Sequence, residues 1–302
     1  MSKKIFISYN HQQGDWVKNN LLPCLRAGGA DVRIDTERFR AGKEVVAQMD
    51  AEQDASDLSV LVLSPEYLAS AMCRHEMQRA LALNKFVGVL RADCAAPDEV
   101  KKTLYVDLRD DKATDKWDLL LAECDADLGA AAPDWLNARD EIVRRLRDDY
   151  SVNLVVPRLA NNSKPKWREL LAHLQKDFFP EMGEVDLQRG VSSARHGLVN
   201  EMLLAYGASL PVPKEPDDLI VLARYFEQRP TPARLALTHF DMVVHRPDYE
   251  VNLFAALRHL MTEQRKLTLL IHSRAHFVEL LPANHPLSSI TNLITIELHG
   301  RP

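Results

Sequence analysis

A continuous apolar run, Leu58–Leu63 (LSVLVL), constrains the fold of this chain more than any other stretch. The run is rich in aliphatic and β-branched residues and is too short for a typical helix. It therefore predicts a strand that is buried on both faces of a parallel sheet. Ser64-Pro65 ends this strand, and a proline at that position suits the first turn of a following helix.

Four further strands are predicted in the first half of the chain. They span Lys4–Tyr9, Asp31–Asp35, Phe86–Leu90 and Leu104–Asp107. Helices are predicted between them, from Asp15 to Arg26, from about Glu44 to Ser56 and from Pro65 onwards. Strands that alternate with helices in this way predict a parallel sheet covered on both faces, and hence an α/β fold.

Glu76 lies in the helix after the buried strand, among apolar residues at roughly helical spacing. A carboxylate at the rim of a strand–helix unit is either a solvated surface charge or a site residue. Ligands of parallel sheets gather beyond the carboxyl ends of the strands. Tyr9, Asp35 and the loop through Gly42 also lie at such ends, and this clustering favours the site interpretation of Glu76.

The composition is that of a soluble globular protein. The 302 residues are enough for two domains of ordinary size, with 46% hydrophobic and 27% charged residues. The net charge of −5 argues against a surface built to hold nucleic acid or an anionic membrane. No apolar run approaches the length of a membrane span, and the N-terminal apolar stretch is too short for a signal peptide.

The cysteine and histidine patterns predict neither a disulfide framework nor a metal site. The 4 cysteines are widely spaced and form no CxxC pair, which fits reduced thiols in a cytoplasmic protein. His75 precedes Glu76, but no second histidine follows at the spacing of an HExxH zinc motif. We therefore expect a cytoplasmic location and no metal.

Five motifs in the first half resemble those of Toll/interleukin receptor (TIR) domains and occur in the order of that family, over roughly residues 3 to 125. They are Phe6–Tyr9 for the opening strand, Ile34-Asp35 with Ala41–Lys43 for the second strand and BB loop, Leu61–Pro65 for the third strand, Ser70–Glu76 for the S-x-W-C-x-x-E stretch, and Leu104–Leu108 with Trp117 for the last strand and helix. The resemblance implies a flavodoxin-like fold.

The resemblance implies one of two functions for this half. Many bacterial TIR domains cleave NAD⁺ at the nicotinamide–ribose bond, whereas others are adaptors that associate through TIR surfaces. The enzymatic members place their catalytic glutamate where Glu76 stands here. An ionised carboxylate at that position would favour the positive charge that develops on the ribose as nicotinamide leaves. NAD⁺ is then a substrate, and no cofactor is expected.

The resemblance also implies substrate-binding positions: Phe6, Ser8, Tyr9, Arg38, Gly42 and Met72. The alternatives for Phe6, Ser8 and Arg38 are a core residue, a hydrogen-bonding residue at a strand end and a solvated charge. Met72 departs from the family, because enzymatic members usually carry tryptophan four residues before the glutamate. Methionine can fill the same apolar space but cannot stack as an aromatic ring does.

The second half of the chain also alternates helices with strands. Strands are predicted at Asn153–Pro157, Arg234–Thr238, Leu267–Ile271 and Leu293–Leu298. Their order resembles a P-loop ATPase core of the AAA or STAND kind over roughly residues 180 to 300. Leu235–Asp241 is similar to a Walker B strand, and Leu269–Arg274 to the sensor strand.

The nucleotide machinery of this second core is missing from the sequence. Gly190–Gly197 stands where a phosphate loop would, but no GxxxxGK[ST] motif occurs in the chain. Without the P-loop lysine, a contact to the β- and γ-phosphates is lost. The sequence predicts a degenerate, non-hydrolysing scaffold in which Asp241 is structural; the alternative is an active ATPase.

These patterns predict a TIR domain over residues 1–128, a helical linker over 129–180 and an α/β regulatory or partner-binding domain over 181–302. As the TIR family implies, we expect an NAD⁺ glycohydrolase that acts as an antiphage effector. Self-association of TIR domains would activate the enzyme. The C-terminal domain would prevent this assembly until a protein or ligand trigger binds to it. The alternatives are a non-enzymatic adaptor and a TIR enzyme that makes a cyclic ADP-ribose messenger.

Overall fold

The computed structural model describes residues 3–34, 45–103, 105–156, 167–208, 218–288, 290 and 292–298. The chain divides between Leu136 and Asn137 into two compact units. Within the described residues, each unit contains one five-stranded sheet in which every pairing is parallel. The predicted fold class is therefore confirmed for both halves.

The first sheet has the strand order of a flavodoxin-like fold. Its strands are β1 (Lys4–Ser8), β2 (Asp31–Arg33), β3 (Leu58–Leu63), β4 (Phe86–Leu90) and β5 (Tyr105–Asp107). They are arranged in the order β2-β1-β3-β4-β5. The order reverses direction between β1 and β3, and in open α/β sheets ligands bind beyond the carboxyl ends of the strands at such a point.

Helices connect the strands of the first sheet. They are α1 (Gly14–Trp16), a π-helical turn (Val17–Leu21), α2 (Leu22–Ala27), α3 (Val45–Asp54), α4 (Pro65–Ala69), α5 (Ala71–Leu83), α6 (Asp98–Lys101) and α7 (Thr114–Glu123). Helix α8 (Ala132–Arg147) begins in the first unit and ends in the second.

Strand β3 and the helices after it form as the sequence predicts, with one difference. All residues of β3 are buried. Ser64 caps α4 by accepting a hydrogen bond from the backbone N–H of Tyr67, and Pro65 takes the first helical position. The predicted single helix is two helices, because Ser70 adopts an extended backbone and caps α5 through Cys73 N–H.

The second sheet is also doubly wound. Its strands are β6 (Ser151–Val155), β7 (Gly183–Asp186), β8 (Ala233–Thr238), β9 (Leu267–Ser273) and β10 (Leu293–Glu297). They are arranged in the order β10-β6-β9-β8-β7, which is 5-1-4-3-2 when the strands are numbered within this unit. This arrangement agrees with the predicted resemblance to a P-loop ATPase core.

Helices and an apolar core support the second sheet. The helices are α9 (Trp167–Asp177), α10 (Arg195–Leu204), α11 (Asp218–Glu227), α12 (Val251–Thr262) and α13 (Phe277–Leu280). Leu222, Phe226, Leu253 and Leu269 are fully buried members of that core. Strand β7 was not predicted from the sequence, because only Val185 offers a large apolar side chain in this short edge strand.

The predicted position of a phosphate loop at Gly190–Gly197 is wrong. This segment follows β7, which lies at the edge of the sheet, whereas the strand order reverses between β6 and β9. Gly197 has a packing role instead: a Cβ atom there would lie 1.7 Å from the carbonyl oxygen of Val191. The segment that follows β6, residues 157–166, lies outside the described residues.

The predicted domain limits also differ from the structure. Residues 129–180 were expected to form a helical linker, but they supply β6 and α9 to the second unit. Since β6 pairs with both β9 and β10, it lies inside the second sheet. The second unit therefore begins at Asn137 rather than at residue 181.

No helix in the described part of the chain is long and apolar enough to span a membrane.

We expect Leu61→Ala to destabilise the first unit strongly. Leu61 is fully buried in β3, between β1 and β4, and the substitution would leave a cavity. The expected loss in the free energy of unfolding is about 2–5 kcal/mol, measured by urea denaturation. Leu83→Ala is the matched control, because Leu83 is 41% exposed. Equal losses in the two variants would contradict the assignment of β3 to the core.

Candidate active site

Three side chains from three elements meet at the carboxyl end of β1. Ser8 is the last residue of β1, Tyr67 lies in α4 and Glu76 in the middle of α5. The Ser8 hydroxyl donates a hydrogen bond of 2.5 Å to Glu76 Oε2. The hydroxyl oxygens of Ser8 and Tyr67 are 2.7 Å apart. We call these three residues the Ser8–Tyr67–Glu76 cluster.

The cluster is withdrawn from solvent, which strengthens its internal hydrogen bonds. Ser8 is 1% exposed, Tyr67 0% and Glu76 7%. Burial raises the pKa of Tyr67 well above its usual value of 10.0, partly offset by its hydrogen bond to Ser8, and the nearby Glu76 charge adds to the rise. Tyr67 therefore stays a neutral hydroxyl that can donate.

Helix α3 supports the helix that carries Glu76. The buried Gln53 amide donates to the backbone carbonyl of Glu76 at 2.9 Å and to Ser59 Oγ at 3.2 Å. His75, the residue before Glu76, also contacts α3: its Nε2 lies 2.9 Å from Asp50 Oδ1. These contacts tie α3 to α5 and β3, so they fix the backbone from which the Glu76 side chain projects.

The Arg79 guanidinium adds a second link between these helices, pairing with Asp54 at 2.5 Å and with Asp50 at 3.3 Å. These pairs are partly exposed to solvent, where ion pairs contribute little to stability. We therefore regard the buried Gln53 amide as the more important contact for the position of α5.

The structure brings together only part of the predicted site. Ser8 contacts Glu76, and Tyr9 follows at the same strand end with 8% exposure. Phe6 is 1% exposed within β1 and takes the alternative role expected for it, that of a core residue. Met72 is 39% exposed, so it does not fill a buried apolar space as the sequence suggested.

The remaining predicted positions, Arg38 and Gly42, lie outside the described residues, as does Asp35. Two residues that contribute to the site were not found from the sequence. Tyr67 has the spacing of an apolar residue on a helix face, and Gln53 lies in a segment predicted only as a helix. Nothing in the local pattern indicates that their polar ends point to Ser8 and Glu76.

A second polar cluster lies at the carboxyl edge of the second sheet. His239 follows β8 and has a left-handed backbone conformation, with φ 54° and ψ 46°. Its Nδ1 lies 2.7 Å from Asp186 Oδ1 at the end of β7. Its backbone N–H donates to His272 Nδ1 on β9 at 3.2 Å, and the His272 ring stacks on Trp167 with centroids 3.8 Å apart.

The charges in this second cluster are set by burial and hydrogen bonding. Burial lowers the pKa of His272 to about 3, with repulsion from His239 and Arg274 acting in the same direction. Burial opposes ionisation of Asp186, but hydrogen bonds from Gln188 N–H and His239 outweigh it and lower the pKa of this carboxyl. His272 is therefore a neutral acceptor that links the ends of β9 and β8, and the contact of His239 with Asp186 extends the link to β7.

Neither cluster offers a set of metal ligands. Among the residues that the structure describes, no group of three or more His, Cys, Asp or Glu side chains is placed to hold a metal ion. Asp241, the Walker B-like residue, lies in a 3-10 turn after β8 with its carboxylate 4.0 Å from Arg274 Nε.

The parallel sheet and the buried carboxylate define the first unit as a flavodoxin-like domain with a candidate active site. Residues 5–121 match the family model described as TIR domain. The N-terminal domain is thus a TIR domain, as predicted. The match covers less than half of the chain and assigns no family to the second unit.

Two curated relatives match only a short part of this chain. Human Toll-like receptor 1 is 36% identical over 72 residues, which cover 24% of this chain and 9% of the receptor. Toll-like receptor 6 of Bos taurus is 35% identical over 72 residues, with the same shares of both chains covered. Since the chain spans so little of these receptors, the activity and partners of the whole receptors are not transferred to it.

Two solved structures show a partial likeness to this chain. The TIR domain of the Toll-related receptor TRR-2 from Hydra magnipapillata has a TM-score of 0.37 and 20% identity, covering 40% of this chain and 96% of that one. The ORC2 protein of Aeropyrum pernix has a TM-score of 0.40 and 11% identity, covering 56% of this chain and 47% of that one. Both TM-scores are below 0.5, and we base no argument on them.

We expect the stability of the second unit to fall as the pH drops from about 6.5 towards about 3. The unfolded chain takes up a proton at His272 below its usual pKa of 6.5, whereas the folded chain does so only near its lowered pKa of about 3. The free energy of unfolding then decreases by up to about 1.4 kcal/mol per pH unit in this window.

His272→Phe keeps a ring against Trp167 but removes the titrating group, so it should flatten this part of the pH dependence. The slope is compared, rather than the absolute stability, because the variant also removes an acceptor from His239 N–H. Urea unfolding of the full chain at several pH values measures the slope of the free energy of unfolding against pH. His245→Gln, at an exposed histidine, is the control. Equal slopes in His272→Phe and wild type would contradict a buried neutral His272.

Proposed function

We propose that the TIR domain cleaves NAD⁺ at the nicotinamide–ribose bond and that Glu76 is its catalytic carboxylate. The observation that carries this proposal is the position of Glu76. Its carboxylate is 7% exposed and lies beside Ser8, the last residue of β1, where the strand order of the sheet reverses. A crevice at this point is where an open parallel sheet binds its ligand.

The chemistry needs one well-placed anion. Nicotinamide leaves NAD⁺ as a neutral group, so no general acid is required to protonate it. As the C–N bond breaks, positive charge develops on the ribose ring. An ionised carboxylate next to the ribose stabilises that charge most effectively in a site from which water is excluded. The burial of Glu76 supports this role.

We further propose that the protein is an effector of bacterial defence against phages and that assembly of its TIR domains activates it. In this proposal the loop around Gly42 of one copy completes the pocket that holds Glu76 of the next. The second unit holds assembly back until a protein or ligand trigger binds it. What supports a regulatory rather than catalytic second unit is the absence of a GxxxxGK[ST] motif from the chain.

We expect Glu76→Gln to abolish release of nicotinamide from NAD⁺, because the amide has nearly the same shape as the carboxylate but no negative charge. The loss should be at least about 100-fold, the scale seen when one group that stabilises a developing charge is removed. Purified full chain at high concentration is assayed by chromatography of the products. Glu99→Gln, an exposed glutamate in α6, is the matched control. Turnover by Glu76→Gln at the wild-type rate would disprove the role of Glu76.

We also expect the rate per protein molecule to rise with protein concentration or under macromolecular crowding, since assembly completes the site. Rate measurements over a wide concentration range, alongside light scattering, test this expectation. The same rate per molecule for dilute monomers and for assemblies would contradict activation by assembly.

A non-enzymatic adaptor is the second candidate, and Met72 is the observation that favours it. An exposed methionine stands where enzymatic TIR domains usually carry tryptophan. If the protein is an adaptor, Glu76→Gln should keep both its partner binding and its cellular effect. If it is an NAD⁺-cleaving effector, Glu76→Gln should lose the cellular effect. If NAD⁺ is consumed, the chromatogram also separates ADP-ribose from a cyclic ADP-ribose product.

A further inference from the structure

We propose that Tyr67 is a positioning residue for the Glu76 carboxylate and that it acts through the hydroxyl of Ser8. The inference rests on the proposed function, which it extends from the carboxylate to the groups that hold it. It is carried by two contacts: Tyr67 Oη to Ser8 Oγ at 2.7 Å and Ser8 Oγ to Glu76 Oε2 at 2.5 Å.

The direction of these hydrogen bonds follows from the chemistry of the three groups. An ionised carboxylate only accepts hydrogen bonds, so Ser8 donates its single proton to Glu76. The Ser8 oxygen can then only accept from Tyr67, and the Tyr67 hydroxyl is the donor. The chain of donation therefore runs from Tyr67 to Ser8 to Glu76, and it holds only while Glu76 is ionised.

Burial makes Tyr67 the group that orients Ser8. Tyr67 is 0% exposed and Ser8 1% exposed, so bulk water does not substitute for the phenolic donor. The backbone of Tyr67 is fixed by its N–H bond to Ser64 Oγ at the start of α4. The ring lies in an apolar cluster with Leu61, Cys73 and Met77, which leaves its hydroxyl little freedom.

Each donated bond also strengthens the next. A hydroxyl that accepts a hydrogen bond is a better donor, so Tyr67 reinforces the short bond from Ser8 to Glu76. That bond favours the ionised form of the carboxylate and limits its rotation. Removing the phenolic hydroxyl of Tyr67 leaves the Ser8 oxygen without this donor. The Ser8 hydroxyl then holds Glu76 less firmly.

The test is a double-mutant cycle in the full chain, with wild type, Tyr67→Phe, Ser8→Ala and the double variant. Tyr67→Phe removes one oxygen and keeps the buried ring. We expect kcat for NAD⁺ cleavage to fall by about 3- to 10-fold in Tyr67→Phe, with KM unchanged, as for the loss of one hydrogen bond. We expect a larger loss in Ser8→Ala and no further loss in the double variant.

Tyr105→Phe is the matched control, since Tyr105 is 44% exposed at the start of β5. If Tyr67 only filled the core, Tyr67→Phe would leave kcat unchanged, because the ring that fills the core is kept. If Tyr67 acted independently of Ser8, its effect would multiply with that of Ser8→Ala. Multiplying effects, or an unchanged kcat in Tyr67→Phe, would overturn the proposal.

A second measurement keeps the inference separate from the proposed activity. The ¹³C carboxyl signal of Glu76 is followed by NMR as the pH is varied, which requires no turnover. The titration midpoint should move to higher pH in Tyr67→Phe and in Ser8→Ala, and no further in the double variant. If the wild-type chain does not cleave NAD⁺ but the midpoints move together in the variants, the proposed function fails while the coupling stands. A midpoint that Tyr67→Phe leaves unchanged overturns the coupling.

Discussion

The N-terminal domain depends on the pairing of β3 with β1 on one side and β4 on the other. Both faces of β3 are covered, so none of its backbone groups can turn to water and each needs a partner strand. The parallel register sets Ser8 opposite Leu61 and brings the end of β1 next to the start of α4. The candidate site is a consequence of this arrangement, since the strand order reverses at the same place.

The polar groups at that place satisfy one another. Ser8, Tyr67 and Glu76 arrive from a strand and two separate helices, and the break at Ser70 allows the two helices to approach Ser8 independently. A buried carboxylate without partners would be unfavourable, and the hydroxyl of Ser8 offsets part of that cost. The same contact that makes Glu76 tolerable in the interior also orients it, so this hydrogen bond contributes both to stability and to the proposed chemistry.

The second unit shows a different use of the same architecture. Its strand order agrees with a P-loop ATPase core, yet aromatic and imidazole rings occupy the carboxyl ends of β8 and β9. Trp167 stacks on His272, which stays neutral because it is buried. Asp186 and His239 complete a cluster whose hydrogen bonds join neighbouring strands. These contacts hold neighbouring strand ends together and suit a structural part of the sheet.

The sequence by itself determined the α/β class of both halves, the strands of the TIR domain and the candidacy of Glu76. These features rest on local patterns: apolar runs, helix caps at Ser64-Pro65, and residues that follow strands. It misplaced the phosphate-loop position, missed the edge strand β7 and assigned β6 to a linker. The first and third errors concern which strands are neighbours in the sheet, and no local pattern carries that information; β7 was missed because its short sequence has only one large apolar residue, Val185.

Only the tertiary structure decided which polar side chains meet. Ser8 and Tyr67 are 59 positions apart, and Ser8 and Glu76 are 68 apart. Tyr67 has the helical spacing of a core residue, and its ring is indeed in the core, but its hydroxyl reaches a strand far away in sequence. Periodicity reports the face of a helix on which a residue lies. The atom at the tip of that residue finds its partner only when the sheet has brought distant segments together.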